Sequence, residues 1–235
     1  MKVVVACFAY NEGEKIQRTI TRHPGDRSYD LLVMDDGSTD GALADTPSDV
    51  IVLRNATNRG VGDSMKRVFA FCLEGGYDVI VIQAGNDKDD PREIPRLLAP
   101  ILAGEADVVQ GSRYLEGGAH GNMPAYRMVA TRFAHPWLFS LVTGRRVTDT
   151  TNGFRAIRTT VLRDPRIDWT QPWLSRYELE PYLLYKAITL GYRYREAPVT
   201  KVYPRRELGY TKMRPVTDWW SILRPLVYLR LGLRR

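Results

Sequence analysis

Two adjacent acidic side chains end one of the apolar segments in the first half of the chain. Asp35 and Asp36 close the apolar run of LLVMDDGSTDG, where the chain enters a Gly-containing turn. Neighbouring carboxylates repel each other, so the pair indicates a hydrogen-bond donor or a cation between them. An Asp-Gly turn, the structural alternative, requires only one of the two. The pair is therefore a candidate for ligand binding.

A second acidic group lies in QAGNDKDDPREIP. Asp87 and Asp89, with Lys88 between them, could hold a hard divalent cation through oxygen ligands, and a solvated loop explains them equally well. Asp90 has a different interpretation, because Pro91 follows it at what would be the first position of a helix. We therefore predict that Asp90 is a helix N-cap.

A G-x-G pattern opens the helical segment that follows the third apolar run, in NRGVGDSM. Gly60 and Gly62 could cradle a phosphate on backbone N–H groups at a helix N-terminus. Tight entry of the chain into the helix explains them at least equally well. Met65 stands where the dinucleotide-binding fingerprint needs its third glycine, which argues against a nicotinamide cofactor.

Basic side chains in the second half of the chain lie in several loops, some of them beside glycine. Arginine binds phosphate with two parallel hydrogen bonds, so their joint occurrence favours phosphate groups as ligands. The scattered histidines have no zinc-ligand spacing, and a G-x-S-x-G serine-hydrolase motif is absent from the sequence. The basic residues are Arg113 (GSRY), Arg127 (NMPAYR), Arg155 (TNGFRAI), and Arg206 and Lys212 (RELGYTK).

The net charge of +7 in this chain of 235 residues comes from its end. Residues 1–200 are neutral, whereas residues 201–235 contain nine basic and two acidic residues. A neutral body with a basic end indicates an anionic partner, either a phosphate-bearing substrate or a membrane surface. A nucleic-acid binder would spread its charge over a face or groove, so we expect no nucleic-acid partner.

The elements that must position these residues follow from the alternation of short Val/Ile/Leu runs with helical segments. Continuous apolar runs are typical of parallel strands that are covered on both faces. The order predicts an α/β domain with a mostly parallel central sheet, helices on both faces, and ligands beyond the carboxyl ends of the strands. The predicted strands are Val3–Ala9, Leu31–Asp35, Val50–Arg54, Val79–Gln83 and Val108–Ser112, and the predicted helices are Glu12–Arg22, a short turn near Gly41, Gly60–Glu74 and Pro91–Ala103.

The second half continues with helices over Tyr126–Val142 and Leu174–Leu190 and strands near Phe154–Ile157 and Tyr192–Tyr203. A capping box of Asn11 and Glu14 is one interpretation of the first helix start. We predict a single domain over 1–212 and a basic, aromatic extension over 213–235. Apolar runs stay shorter than the ~18 residues of a membrane span. Two cysteines within apolar patterns form no disulfide framework, so we expect a cytoplasmic, reduced protein.

Taken together, the motifs resemble those of the inverting glycosyltransferases of family 2, and within them the dolichyl-phosphate mannose and polyprenyl-phosphate sugar synthases. The resemblance covers residues 3–212 and implies a glycosyltransferase-A fold, a nucleotide-sugar donor (UDP- or GDP-linked) and usually a divalent cation, Mg²⁺ or Mn²⁺. The matching stretches are FAYNEGE, LLVMDDGSTDG, NRGVGDSM, DPREIPRLL, VVQGSRYLEGG, NMPAYR, TDTTNGFRAI, REAPV and RELGYTK.

The resemblance also implies roles for individual residues. The nucleotide would lie against four residues after the first strand and against the two glycines, and one carboxylate of the acidic pair would reach its base or ribose. Four basic residues match the positions that hold the donor diphosphate and the acceptor phosphate. The nucleotide-binding set is Ala9, Tyr10, Asn11, Glu12, Asp35 or Asp36, Gly60 and Gly62, and the phosphate-binding set is Arg113, Arg127, Arg206 and Lys212.

The chain departs from the family pattern at the metal motif, a D-x-D at the end of the fourth strand. Ala84 and Asn86 occupy those two positions when the flanking segments are aligned without gaps. Three alternatives follow: Asp87 and Asp89, with Asn86, supply a shifted cation site; the cation binds weakly; or Lys88 partly replaces its charge. Loss of about two positive charges near a leaving group costs several kcal/mol unless they are replaced.

The acceptor that the resemblance implies is a polyprenyl phosphate. Such a phosphate is already an oxyanion, so it needs no general base. If the acceptor is instead a hydroxyl of a soluble glycan or small molecule, Asp149 before TTNGF is the candidate base. A homologue that binds nucleotide or lipid without turnover is the third alternative. No feature of the sequence indicates a protein partner.

The C-terminal segment TDWWSILRPLVYLRLGLRR combines two Trp, several Leu and four Arg. This composition suits a helix at a membrane surface, and the structural alternative is a helix that packs on the core. We expect peripheral attachment to the cytoplasmic face of the membrane, not insertion.

Overall fold

The strands follow the apolar runs of the sequence. The computed structural model describes residues 1–203 and 217–234. The strands within these residues are β1 (Val3–Ala9), β2 (Asp30–Asp35), β3 (Val50–Arg54), β4 (Val79–Ala84), β5 (Val108–Ser112), β6 (Ala119–Gly121), β7 (Arg155–Arg158), β8 (Tyr194–Pro198) and β9 (Thr200–Val202).

Parallel pairing brings the motif-bearing strand ends to one edge of a seven-stranded sheet. The strand order is β3-β2-β1-β4-β7-β5-β8, and only β7 runs antiparallel to its neighbours. The register places Ala9 of β1 opposite Asp35 of β2, and Phe8 opposite Ala84 of β4. Strands β6 and β9, which follow β5 and β8 in the chain, form a separate two-stranded parallel sheet. The ends of β1, β2 and β4 can therefore contribute to one site.

Helices cover both faces of the sheet, as the continuous apolar runs predict. Val5 and Cys7 of β1 pack with α1 and α3, whereas Val4 and Ala6 pack on the other face with α2 and the helices of the second half. The helices are α1 (Glu14–Thr21), α2 (Val61–Glu74), α3 (Ile94–Leu102), α4 (Ala125–Val129), α5 (His135–Thr143), α6 (Thr159–Leu162), α7 (Leu179–Thr189) and α8 (Thr217–Arg230).

Most predicted helices and strands are present, although some begin or end at residues other than those predicted. The bounds of β1, β3 and β5 are those expected, and Asp90 caps a 3₁₀ turn ahead of α3 by accepting the N–H of Arg92. The helix expected from Leu174 begins at Leu179. The segment after Gly41 forms a hydrogen-bonded turn, in which Ala44 N–H donates to the Gly41 carbonyl.

The capping-box interpretation of Asn11 and Glu14 is wrong. Gly13 is the N-cap of α1 and the cap has no side-chain hydrogen bond, while Glu14 pairs with Arg18 at 2.9 Å. The Asn11 side chain instead accepts the N–H of Thr39 at 2.8 Å, which links the end of β1 to the loop after β2. A contact across the sheet edge therefore replaces the local cap.

Two further elements differ from their prediction. The strand expected over Tyr192–Tyr203 is divided, because β8 joins the large sheet and β9 joins the small one. The helix expected over Tyr126–Val142 contains a π-helical segment, Ala130–Ala134, between α4 and α5. Pro136 follows this segment and has no N–H to donate to the preceding turn, which removes one α-helical hydrogen bond there.

Helix α8 packs against α7 and α5. Leu226 is buried in the core, and Arg224 pairs with Glu178 of the segment before α7. Residues 204–216 lie outside the described part of the chain, so a separate extension that begins at residue 213 stays a prediction. Among the described helices, none has the length and apolar character that a membrane span requires.

We predict that Gly62→Ala lowers the free energy of unfolding by about 1–3 kcal/mol, because overpacking forces backbone shifts. A Cβ at Gly62 would lie 2.6 Å from the Ser175 carbonyl carbon and 2.7 Å from the Arg176 carbonyl oxygen. Urea denaturation measures the change. Gly25→Ala is the matched control, since a Cβ there meets nothing within 4 Å. Equal stability of the two variants would contradict the close packing.

Candidate functional site

A cavity of about 710 Å³ opens at the carboxyl edge of the large sheet. Its wall includes the ends of β1 and β4, the loop after β4, the turn before α2 and the first turns of α7 and α8. This volume lies in the range of small-molecule and cofactor sites. The residues from the sequence predictions that line it are Ala9, Tyr10, Glu12, Asp36, Gly60, Asn86, Lys88, Arg127 and Arg155.

The adjacent carboxylates after β2 have separate hydrogen-bond donors, as their proximity requires. Asp35 is fully buried and accepts from the Arg54 guanidinium at 2.7 Å and from the N–H of Ser38 at 2.8 Å. Asp36 accepts from the Asn55 amide at 2.8 Å. Of the two, Asp36 lines the cavity, so the geometry favours Asp36 for contact with a ligand.

The glycine turn before α2 is held by Asp36. The N–H groups of Arg59 and Gly60 donate to the two oxygens of this carboxylate at 2.9 and 2.8 Å. Within the first turn of α2, the N–H of Asp63 donates to the Ser175 carbonyl at 3.1 Å. These donors therefore bind protein groups, and Gly60 contributes to the cavity wall while Gly62 permits the close approach of residues 174–176.

The residues after β1 divide into two roles. Tyr10 and Glu12 line the cavity, and Glu12 pairs with Lys15 at 2.7 Å. Asn11 takes a left-handed backbone conformation with φ of 46°, and its N–H donates to the Ser38 hydroxyl at 2.9 Å. Asn11 thus fixes the relative position of two loops at the edge of the cavity.

The acidic residues after β4 pair with basic residues of the chain. Asp87 accepts from the Arg22 guanidinium at 2.7 Å. Asp89 is fully buried and accepts from the Lys201 ammonium of β9 at 2.6 Å. The two carboxylates therefore form ion pairs with basic side chains from different parts of the chain. Neither carboxylate belongs to the described cavity lining.

The described residues do not fit a resident divalent cation at the end of β4. Ala84 has no ligand atom, and Asn86 offers one neutral oxygen, which is buried without a hydrogen-bond partner. Within residues 1–203 and 217–234, no cluster of three His, Cys, Asp or Glu side chains could hold a metal ion. Mg²⁺ and Mn²⁺ sites are normally built on carboxylates, and those nearby are neutralised by Arg22 and Lys201.

Three basic side chains line the cavity beside this loop. The ammonium nitrogen of Lys88 lies 4.6 Å from the centre of the Tyr203 ring, and the Arg127 guanidinium carbon lies 5.6 Å from the same centre. Lys201 also lines the cavity and donates to the Asn152 side chain at 3.1 Å. Burial, followed by the charges of Lys201 and Arg127, lowers the pKa of Lys88 to about 7. The cluster therefore places three basic side chains on one part of the wall.

The predicted catalytic residues Arg113 and Asp149 pair with each other. The guanidinium donates to both carboxylate oxygens at 2.6 and 2.8 Å, and the two side chains are 1% and 0% exposed. Burial alone would lower the pKa of Arg113, but Asp149 raises it above its ordinary value. Neither residue is among the described residues of the cavity wall. Their geometry supports a role in fixing the β5 end and residues 149–151.

Several residues of the site were missed or lie outside the described chain. Lys201 was counted only among the basic residues of 201–235, and Tyr203 and Glu180 belong to no motif that marks a ligand site. The alternation of side chains along the strand could have indicated that Lys201 points inward, because Val199 and Tyr203, two residues before and after it, are apolar and both are buried. Arg155, named for phosphate binding, pairs with Glu180 at 3.3 Å. Arg206 and Lys212 lie outside the described residues.

Comparisons with known proteins identify relatives of the chain. Residues 4–165 match the family described as Glycosyl transferase family 2. A polyprenol monophosphomannose synthase of Mycolicibacterium smegmatis is 34% identical over 90% of this chain and 81% of its own length. An undecaprenyl-phosphate mannosyltransferase of Micrococcus luteus is 34% identical over 91% of this chain and 88% of its own length.

Solved structures share the fold. The glucosyl-3-phosphoglycerate synthase of Mycobacterium tuberculosis in complex with Mn²⁺, UDP and phosphoglyceric acid has a TM-score of 0.71 and 18% identity, and covers all of this chain and 80% of its own. Another structure of that enzyme contains Mg²⁺ and UDP. The prediction of a glycosyltransferase-A fold, with a mostly parallel sheet and helices on both faces, is thereby confirmed.

We predict that Asp149→Ala lowers the free energy of unfolding by about 3–5 kcal/mol, because it leaves the buried Arg113 charge without its partner. Urea denaturation measures the loss. Glu14→Ala is the matched control, since it breaks the solvent-exposed pair with Arg18 and should change stability by at most about 1 kcal/mol. A loss for Asp149→Ala as small as that for the control would contradict a structural role for the pair.

Proposed function

Because the chain belongs to glycosyl transferase family 2, we propose that it transfers a sugar from a nucleotide-sugar donor to a polyprenyl phosphate, with inversion at the anomeric carbon. Two relatives at 34% identity are named for transfer to such lipid phosphates, and both are named for mannose. A mannosyl donor is therefore the first to test, with GDP and UDP as the candidate nucleotides.

The observation that carries the proposal is the group of basic side chains in the cavity at the carboxyl edge of the sheet. The volume of the cavity suits a nucleotide sugar, and its basic lining residues include Lys88, Arg127 and Lys201. Both proposed substrates carry phosphate groups, so basic side chains can bind and orient them together. Asp36 and Tyr10 line the cavity as well and are the candidates for contact with the nucleoside.

The state of Asp149 favours a phosphate acceptor over a hydroxyl. A hydroxyl acceptor needs a general base within hydrogen-bonding distance, and Asp149 was the candidate for that role. Both of its oxygens accept from buried Arg113. His135, another possible base, is buried, donates to or accepts from Thr150, and has its pKa lowered to about 4 by burial. A phosphate acceptor attacks as an oxyanion and requires neither residue.

The first test measures transfer from radiolabelled GDP-mannose and UDP-glucose to a polyprenyl phosphate in detergent. We expect labelled product in the organic phase with the lipid phosphate and none with the matching polyprenol. Arg127→Gln should lower the rate by about 10²-fold, within the range for loss of a charge-stabilising donor. Arg18→Gln, on the exposed face of α1, is the matched control. Label that enters only soluble products would contradict the lipid acceptor.

A lipid acceptor requires contact with a membrane, and the α4–α5 helix offers an apolar face for it. Tyr126, Val129, Phe133, Trp137 and Leu141 follow one another at helical spacing and are each more than half exposed. We call these five residues the apolar stripe. Five exposed large apolar side chains on one helix mark an interaction surface. Arg127 of the same helix lines the cavity, so docking of the stripe would place the cavity beside the lipid headgroups.

The apolar stripe fits an anionic bilayer surface better than α8 does. Arg132 lies beside the stripe, with its guanidinium carbon 5.4 Å from the centre of the Phe133 ring. Arg145 and Arg146 are exposed just after α5. Aromatic side chains with flanking arginines are typical of interfacial helices. Helix α8 buries Asp218, Ser221, Pro225 and Leu226 against the domain, although Trp220 remains half exposed.

We predict that Phe133→Ser with Trp137→Ser lowers binding to phosphatidylglycerol-containing vesicles by at least about ten-fold, because each buried aromatic contributes apolar area. Vesicle flotation measures the binding. The matched control is Trp220→Ser with Leu231→Ser on and after α8, which should bind nearly as well as the original chain. Loss of binding in the control alone would restore α8 as the membrane contact. Activity in detergent verifies that both variants are folded.

A further inference from the structure

We propose that Lys88 and Lys201 hold the diphosphate of the donor directly, beside the end of β4, where the family pattern has its metal motif and this chain has Ala84 and Asn86. The inference rests on the proposed function for the identity of the donor, and it concerns how this chain binds it. Two solved structures of similar fold contain Mn²⁺ or Mg²⁺ with UDP. This chain has neither a carboxylate at Ala84 nor one at Asn86, so the charge must come from other groups.

The buried pair of Asp89 and Lys201 excludes the nearest carboxylate from a cation site. The two side chains are 0% and 10% exposed and 2.6 Å apart, and the backbones of the two residues form a β-bridge. A cation at Asp89 would have to displace Lys201 and leave its ammonium buried without a partner. Breaking such a pair is strongly unfavourable, because the remaining charge stays desolvated.

Lys201 is fixed in position by a second contact. Its ammonium donates to the Asn152 side-chain oxygen at 3.1 Å, and the Asn152 amide in turn donates to the Gly111 carbonyl at 3.1 Å. The lysine therefore has a set direction at the cavity wall, whereas a surface lysine samples many rotamers. Such preorganisation is what electrostatic stabilisation of a leaving group requires.

Lys88 adds a second basic side chain at the same wall. It lies on the loop that joins β4 to the 3₁₀ turn, and its carbonyl accepts the N–H of Val202 at 3.0 Å. The backbone next to Lys201 is thus hydrogen-bonded to the backbone of Lys88. Several cations within one partly buried cluster repel each other, and a bound anion relieves that repulsion. A diphosphate carries the charge that matches them.

The chemistry needs no other group. The bond between the anomeric carbon and the β-phosphate oxygen of the donor breaks, and its electron pair remains on that oxygen. An oxygen of the acceptor phosphate forms the new bond to the anomeric carbon from the opposite side. No proton has to move in this exchange. The two ammonium groups would stabilise the negative charge that develops on the leaving diphosphate.

The test is calorimetric titration of the full chain with GDP and with UDP, first in metal-free buffer with EDTA and then with Mn²⁺. We expect one nucleotide to bind in both buffers with dissociation constants that agree within about three-fold. Lys88→Met should weaken that binding at least about ten-fold, while Lys88→Arg keeps most of it because the charge remains. Lys186→Met, at the second and smaller cavity, is the matched control.

A complementary variant introduces carboxylates at the two positions of the family's metal motif. In the absence of nucleotide, Ala84→Asp with Asn86→Asp should bind Mn²⁺ measurably by loss of the free-ion resonance signal, whereas the original chain should not. Nucleotide binding that appears only with Mn²⁺, or unchanged binding in Lys88→Met, would overturn the inference and leave the proposed function standing. Binding of neither nucleotide in either buffer would contradict the proposed function and the inference together.

Discussion

The buried ion pair of Asp89 and Lys201 determines how the site is arranged. It joins the loop after β4 to β9, and the β-bridge between the same two residues extends this connection to the backbone. A buried charge is tolerated only with a partner, so each residue requires the other in place. The consequence is twofold: the carboxylate nearest the end of β4 is neutralised, and an ammonium group is held at the cavity wall.

The parallel sheet could be predicted from the sequence because its signal is local. Buried parallel strands need continuous apolar runs, and β1, β3 and β5 begin and end where those runs do. The position of the site followed from the same signal, since parallel strands end at one edge. Ala9, Asp36 and Asn86 lie at or just after the ends of three of these strands, and all three line one cavity.

The choice of partners for charged side chains could not be predicted in the same way. Arg113 and Asp149 were each named as catalytic, yet they bind each other, because nothing in their spacing of 36 residues reveals a contact. The G-x-G pattern was ambiguous for a related reason. A glycine that permits close backbone approach and a glycine that cradles phosphate have the same sequence pattern, and here the Gly60 N–H donates to Asp36. Long-range contacts decide both cases.

The charges of the cavity connect the nature of the acceptor with the absence of carboxylates at the end of β4. A donor diphosphate and an acceptor phosphate must approach each other closely, although both are anionic. A mobile cation bound to the donor neutralises one of them, whereas basic side chains fixed between two segments can neutralise both. Fixed lysines also remain in the cavity after the nucleotide has left, so the next donor meets the same preorganised charge. In the proposed reaction, basic side chains fixed in the cavity wall can thus serve both the donor diphosphate and the acceptor phosphate.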